Sequence, residues 1–467
     1  VTITFYGGAG GVTGSKHLLA VGNKHILLDC GTWQGTPLVR KKNRSFPFKP
    51  EAVDCVVLSH AHVDHCGMLP LLVKRGFRGS IFATEATRDV AYLMLKDMAK
   101  IEWQDAEYRQ RHGVGTLDER EPLFDAKDVV LAMERFVLVP YVRHNNKWCE
   151  ILPGAKLKLY DAGHILGSAV CVLEVEGGKG LKRVAYSGDL GQPGMPLLFD
   201  PQVPREKIEV LILESTYGSR RHETSEGTEE RLVSCIKTVL NRGGKMIVPA
   251  FSLGRTQGIV YLLHKLTDEG KLPRFPIYVD SPLAVRLTDI YRQHRREYDE
   301  ESEVDFRSPN DKPLAFHNLR YIRSVEESKQ LNEQPGPLMV ISASGMMAYG
   351  RVVHHLRQGV ADPKNAIFVT GYQAEGTLGR RILEGERRID IFGDRLAVRA
   401  QVFLFNELSA HADREQLQRY AENVEGLRKV FLVHGEPHQA DDLRDQLRRA
   451  HPGWEVIRPA EGDCYEL

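Results

Sequence analysis

With 467 residues the chain is too long for one compact core, which bounds it to two or three domains. A hydrophobic content of 42% and a charged content of 27% are those of an ordinary globular protein. The net charge of +1 excludes a global field, so any grip on a polyanion must come from a locally basic cleft.

From the N-terminus the chain reads as strand after strand. "TITFY", "HLLAV", "HILLD", "AVDCVVLSH", "KLKLYDAGH", "AVCVLEVE", "KRVAYSGD" and "IEVLILEST" are short, β-branched or alternating, and punctuated by Gly or Asn turns. Helical spacing of apolar residues predicts one interruption, a helix over Ala86–Gln110. Four units then repeat an apolar strand, a small-residue loop and a helix, which is the pattern of parallel βαβ structure. They are "KMIVPAFSLGRTQGIVYLL", "PIYVDSPLAVRLTDIY", "PLMVISASGMMAYGRVVHHL" and "AIFVTGYQAEGTLGRRIL". Between the second and third lies "RQHRREYDEESEVDFRSPNDKP", expected to be a solvated excursion. After Val402 the first style returns, with helices at Arg414–Asn423 and Pro437–Ala450 and strands in "KVFLVHGE" and "WEVIRP". The expected organisation is a first domain part at 1–215, an inserted α/β domain at 216–400, and a closing part at 401–467.

No run of eighteen apolar residues occurs, so no membrane-spanning helix and no membrane partner are expected. The opening "VTITFYGGAGG" has neither a charged start nor an apolar core, which leads us to expect cytoplasmic residence. Seven dispersed cysteines without a CxxC pair fit reduced thiols rather than a disulfide framework.

The acids and histidines are not scattered. Asp29 follows "HILL", His60 follows "VVLS", His164 follows "LKLYDAG" and Asp189 follows "RVAYSG". Glu214 ends "VLIL", His411 lies beyond "VFLF" and His434 ends "VFLV". Like-directed strand ends share one rim of a sheet, where active sites of layered α/β proteins lie. Within "LSHAHVDHCGMLP", His60 and His62 project to one side of an extended backbone and can reach one ion. Asp64 and His65 fall where the chain turns toward the helix suggested by "MLPLLVKRG", placed to serve a second ion. Nitrogen and carboxylate donors without thiolate suit a catalytic zinc site with open positions. With only 18 histidines in the chain, chance rarely yields HxHxDH.

HxHxDH, followed in order by "GHILGS", "SGDLG", "ESTYG", "SAHAD" and "VHGE", resembles the metallo-β-lactamase fold, and more narrowly the β-CASP ribonucleases. The resemblance spans nearly the whole chain. It implies an αββα sandwich interrupted by a parallel-sheet α/β (β-CASP) domain, two Zn2+ per chain, and single-stranded RNA as substrate. Carried over residue by residue, it implies a first zinc on His60, His62 and His164. A second would sit on Asp64, His65 and His434, with Asp189 bridging and Asp29 orienting a ligand. Asp64, Glu214 and His411 would be catalytic, the last two as an acid–histidine pair that delivers a proton. Hydroxide activated between the ions would leave a 5′-phosphate and a 3′-hydroxyl. Endonuclease and 5′-exonuclease action stay open at this point, as does a homodimer.

Strand–loop–helix units point backbone N–H groups toward a ligand. In the insertion their loops carry Ser252, Gly254 and Arg255, then Ser344, Gly345 and Arg351, then Gly376, Thr377 and Arg380. Ordinary helix capping explains any one of these, whereas the set favours a substrate cleft, and Ser409 beside His411 is placed to touch the scissile phosphate. "GGAGGVTGSK" lacks the Gly-Lys-Ser/Thr order of a phosphate loop and is expected to be a tight turn near the site. "VRKKNRSFPFK" either tracks RNA or is a solvated loop, and His354 and His355 are expected to pack or face solvent rather than bind metal. The alternatives are a β-CASP DNA nuclease, whose relatives usually lack the histidine supplied by His434, and a small-molecule metallo-hydrolase, which lacks the insertion. A non-catalytic RNA-binding scaffold is disfavoured by the complete ligand set.

Overall fold

The computed structural model describes the chain except residues 179, 223–226, 306–312, 372, 374, 375, 406 and 408, and the side chains of 37, 304 and 305. It divides into two compact units. The first comprises Val1–Pro193, Phe199–Arg221 and His411–Leu467, and the second Gly194–Leu198 and His222–Ala410.

The first unit holds two seven-stranded sheets. One runs Cys464–Glu466, Thr2–Gly7, Lys16–Val21, Lys24–Leu28, Cys55–Val57, Ser80–Ala83, Phe136–Leu138. The other runs Glu455–Ile457, Lys429–Val433, Val210–Glu214, Gly180–Tyr186, Ala169–Gly177, Ala155–Asp161, Cys149–Leu152. Inward residues of both sheets, among them Phe5, Leu19, Leu28, Val57, Leu173, Ile212 and Phe431, form a single buried cluster, as facing sheets must. The outer face of the second sheet is covered by Leu417 and Tyr420 of the helix Arg414–Asn423 and Leu443 and Leu447 of Pro437–Ala450. This is the expected αββα sandwich. The helix expected at Ala86–Gln110 spans Glu85–His112, with Thr84 capping its start and Gly113, at φ 65°, ending it.

The second unit is built on a six-stranded sheet with every pairing parallel. The four strand–loop–helix units place Lys245–Pro249, Ile277–Val279, Leu338–Ser342 and Ala366–Val369 in it. Leu319–Tyr321 and Gln401–Leu404 are its edges. The last corrects the sequence reading: "QVFL" pairs with Ala366–Val369, so the chain returns to the first unit at His411 rather than at residue 401. An edge strand's apolar pattern shows that it joins a sheet, but not which one. The charged excursion is also more packed than expected. Tyr298 and Ser302 are buried, and Ser302 Oγ accepts from Leu197 N; residues 306–312 of that stretch lie outside the described residues.

Buried Asp280 ties this second unit together. Its Oδ1 accepts from Arg351 Nη1 at 2.6 Å, and its Oδ2 from His355 Nε2 at 2.7 Å and Ser328 Oγ at 2.6 Å. Burial penalises the carboxylate, but hydrogen bonds from His355, Ser328 and Arg351 outweigh it and lower its pKa. His355 is therefore a packing residue, and His354 leans on Phe392 with ring centroids 4.7 Å apart. Because the folded pKa lies below the unfolded one, the network's contribution is complete above about pH 4 and is lost as pH falls through the folded value. Asp280→Ala would strand Arg351 and should cost about 3–5 kcal/mol in urea unfolding at neutral pH. A loss under about 1 kcal/mol would show that the pairing is not structural.

Candidate active site

The like-directed strands of both sheets converge on one rim of the first unit. In one sheet Lys24–Leu28 and Cys55–Val57 run parallel, and they end at Asp29 and the segment leading to His60. In the other, Gly180–Tyr186, Val210–Glu214 and Lys429–Val433 run parallel and end at Asp189, Glu214 and His434. Ala155–Asp161, two antiparallel steps away, points the same way and leads to His164. His411 breaks this pattern, since the strand before it belongs to the other unit. It is held instead by a bridge to Gly191 and by Ala412 N donating to Leu190 O at 2.8 Å.

Two donor clusters form there. In the first, His62 Nδ1 lies 3.2 Å from His60 Nε2 and 3.2 Å from His164 Nε2. Asp189 Oδ2 lies 3.4 Å from His60 Nε2 and 3.6 Å from His164 Nε2. A tetrahedron with metal–ligand bonds of ~2.0–2.1 Å has edges of ~3.3 Å, so the spacing suits one ion. In the second, Asp64 Oδ2 is 3.5 Å from His434 Nε2, and Asp189 Oδ1 is 3.3 Å from His65 Nε2 and 3.3 Å from His434 Nδ1. Asp189 thus presents one oxygen to each cluster. His65 Nε2, His434 Nε2 and Asp189 Oδ1 are buried and make no hydrogen bond, which is costly in a site meant to remain empty. The donor set fits a pair of cations.

Electrostatics prepares the ligands. Burial and the neighbouring His60 push His62 down to about 3, and burial with His411 holds His164 well below the usual histidine range, so both stay neutral with lone pairs available. Asp64 and Asp189 stay ionised: burial opposes this, but the histidines around them win. His65 goes the other way, because Asp189 and Asp29 flank it and overcome the cost of burial. A cation at Nε2 would replace the proton those carboxylates otherwise attract.

Behind the ligands, Asp29 is fully buried and accepts four hydrogen bonds. Oδ1 takes Ser59 N at 2.7 Å, while Oδ2 takes Ser59 Oγ at 2.7 Å, His65 Nδ1 at 2.7 Å and Tyr186 OH at 2.6 Å. Ser59 Oγ in turn lies 3.0 Å from His60 Nδ1. The network turns Nε2 of both histidines toward the clusters. Sequence reasoning missed Ser59, Tyr186 and Thr216, whose Oγ1 lies 3.2 Å from His434 Nδ1. The available signal was position, because each abuts a strand end already carrying a donor. Close backbone approach accounts for Gly31, where a Cβ would fall 1.6 Å from Asp64 O.

Beside the first cluster, His411 Nδ1 lies 3.2 Å from Glu214 Oε1, which also accepts from Leu190 N at 2.7 Å. The His411 ring sits 4.4 Å from that of His164. Burial disfavours its charged form, but Glu214, Asp189 and Asp64 outweigh burial and raise its pKa. "GGAGGVTGSK" is a turn against the site: Gly8 O accepts from His434 N and Ser15 N donates to Asp64 O. Lys16 is buried under Trp33 with Nζ on Gly14 O and Gly31 O, and burial pushes it down to about 7. In "VRKKNRSFPFK", Lys41, Lys42 and Arg44 face Glu119, Glu461 and Asp118, which weakens any claim on RNA.

The substrate-loop residues are in the second unit, each with local work. Ser344 Oγ accepts from Ala348 N, Thr377 caps its helix through Arg380 N, and Arg380 Nε reaches Glu384. Arg351 is bound to Asp280, Arg255 opens the helix Arg255–Asp268, and Ser409 is buried.

Three family profiles match the chain: a metallo-β-lactamase superfamily profile over residues 10–130, a Beta-Casp domain over 256–382, and a Zn-dependent metallo-hydrolase RNA specificity domain over 395–459. Ribonuclease TTHA0252 of Thermus thermophilus is 36% identical over 92% of each chain. An RNase J-like protein of Methanocaldococcus jannaschii is 32% identical over 94% of each. Transcription termination factor FttA of the same organism is 30% identical over 96% of this chain and 69% of its own. A crystal structure of a protein of unknown function from Enterococcus faecalis V583 shares the fold, with a TM-score of 0.56 at 13% identity over 100% of this chain and 99% of its own. The described residues contain no helix long and apolar enough to cross a membrane.

Proposed function

The chain belongs to the β-CASP family of metallo-β-lactamase-fold ribonucleases and is a metal-dependent hydrolytic nuclease, and from that premise we propose that it cuts single-stranded RNA with two zinc ions, leaving a 5′-phosphate and a 3′-hydroxyl. His60, His62 and His164 would hold one ion, Asp64, His65 and His434 the other, and Asp189 both. When bound, such ions supply a water of lowered pKa and charge for the phosphoryl oxygens.

The protein's own groups divide the remaining work. Asp29 orients His65, and Tyr186 and Ser59 hold Asp29. Glu214 on Nδ1 keeps His411 protonated, and His411 gives its Nε2 proton to the departing O3′. Ser409, Arg255, Ser344, Arg351, Thr377 and Arg380 are the proposed substrate contacts. The observation that carries this reading is Asp189, whose two oxygens face two separate donor clusters.

Zinc-loaded protein incubated with end-labelled single-stranded RNA, and with matched DNA, bearing a 5′-phosphate or a 5′-hydroxyl should cleave the RNA. Mononucleotides would mark a 5′-exonuclease and internal fragments an endonuclease. Cleavage of DNA alone, or of neither, would refute the assignment.

A further inference from the structure

Resting on the ribonuclease reading, we infer that Phe251 and Tyr349 form a stacking platform for unpaired nucleobases of the bound strand. Both lie in the second unit, just beyond the C-terminal ends of Lys245–Pro249 and Leu338–Ser342, neighbouring parallel strands in which Pro249 is paired with Ser342. They are 42% and 69% exposed. Single exposed apolar residues are commonplace, but two large rings on adjacent loops of one sheet edge are not. Phe392, the other exposed aromatic among the described residues of this unit, sits instead beyond the strand Arg388–Ile391 and leans on His354.

The loops hold these rings in place. A Cβ on Gly345 would lie 2.9 Å from Phe251 Cδ2 and 3.1 Å from Phe251 N, so this glycine is what lets the Phe251 ring come close against the neighbouring loop. Phe251 O is fixed by Thr256 N and Thr256 Oγ1. Tyr349 O accepts from Ser344 N, while Met347 N and Ala348 N bond back to Ser344. Gly350 then takes φ 84° to start the next helix. Backbone braced from behind with a ring presented to water is poor economy for folding and well suited to stacking. Four residues after Phe251, Arg255 opens the helix Arg255–Asp268. Its Nη2 lies 3.8 Å from where a Cβ on Gly371 would stand, just past the adjacent strand Ala366–Val369, which puts a cation on the same sheet edge for the sugar–phosphate backbone. Rings that stack without reading base edges tolerate any sequence, so the ligand class is unpaired nucleobases rather than a particular motif.

The test measures fluorescence anisotropy of zinc-loaded full-length His411→Ala protein, which should bind without turnover. The probes are a labelled mixed-sequence RNA decamer and a stable abasic decamer of equal length. Phe251→Ala and Tyr349→Ala should each weaken binding of the base-bearing decamer by roughly 5- to 150-fold and leave the abasic one unchanged. Phe251→Tyr and Tyr349→Phe, which keep the ring, should restore affinity. Equal losses on both probes, or no loss on the base-bearing one, would overturn the platform. Failure of the parent chain both to cut and to bind RNA would instead fall on the ribonuclease reading and take the platform with it.

Discussion

His411→Ala is expected to keep both zinc ions and lose roughly two to four orders of magnitude in turnover on RNA. The side chain belongs to neither of the two donor clusters but to a neighbouring group with Asp189 and Glu214; its ring lies 4.4 Å from that of His164, tilted by 49°, and Glu214 orients it. A proton donor of this kind matters most when the leaving group is a poor one. An activated aryl phosphodiester, whose phenolate departs without help, should lose far less. Unimpaired RNA turnover would end the proton-donor role. Glu214→Gln offers a graded version. Removing the carboxylate lowers the His411 pKa, so the alkaline limb of the rate profile should move to lower pH. The sign follows from the raised pKa: the acid form is present below the folded value and lost as pH climbs through it. An alkaline limb that stays put would assign the titration to another group.

Asp189→Ala should have the second large effect. The variant removes the one anion common to both clusters, so bound zinc should fall from two ions to one or none by elemental analysis. Activity should drop by about three orders of magnitude, the several kcal/mol that metal-ion charge stabilisation supplies. Chelation of the parent protein should match this loss and be reversed by zinc. The variant should not be rescued at the same concentration. Thermal unfolding gives an independent readout, because ions that bind only the folded state raise the melting temperature of the parent and should raise that of Asp189→Ala less. Two tightly held ions in Asp189→Ala would refute the bridging role.

The two donor clusters were legible in the sequence because their encoding is local. A buried strand announces itself by its apolar run, and the residue after it must emerge at the sheet's rim. Asp29, His60, His164, Asp189, Glu214 and His434 each stand at such an exit. Spacing of two residues in an extended segment then settled that His60 and His62 face together, and the turn into the short helix Val63–Cys66 carried Asp64 and His65 to the other cluster. The repeated strand–loop–helix pattern likewise announced the parallel sheet of the second unit.

What stayed hidden depends on which distant segment an element meets. Gln401–Leu404 looked like the first unit's strands but hydrogen-bonds to Ala366–Val369 in the second, so His411 reaches its place through Gly191 and Leu190 instead. Tyr186 reaches Asp29 across 157 residues, and Asp280 gathers groups up to 75 residues away. Periodicity records which face of an element is buried, and residue type records what a group can donate or accept. Neither records the partner, because that choice is made by the packing of whole sheets and helices around one another. The sequence alone therefore determined the donors and their strand ends, while the tertiary structure decided the hydrogen-bonded support that aims them and the point at which the chain re-enters the catalytic unit.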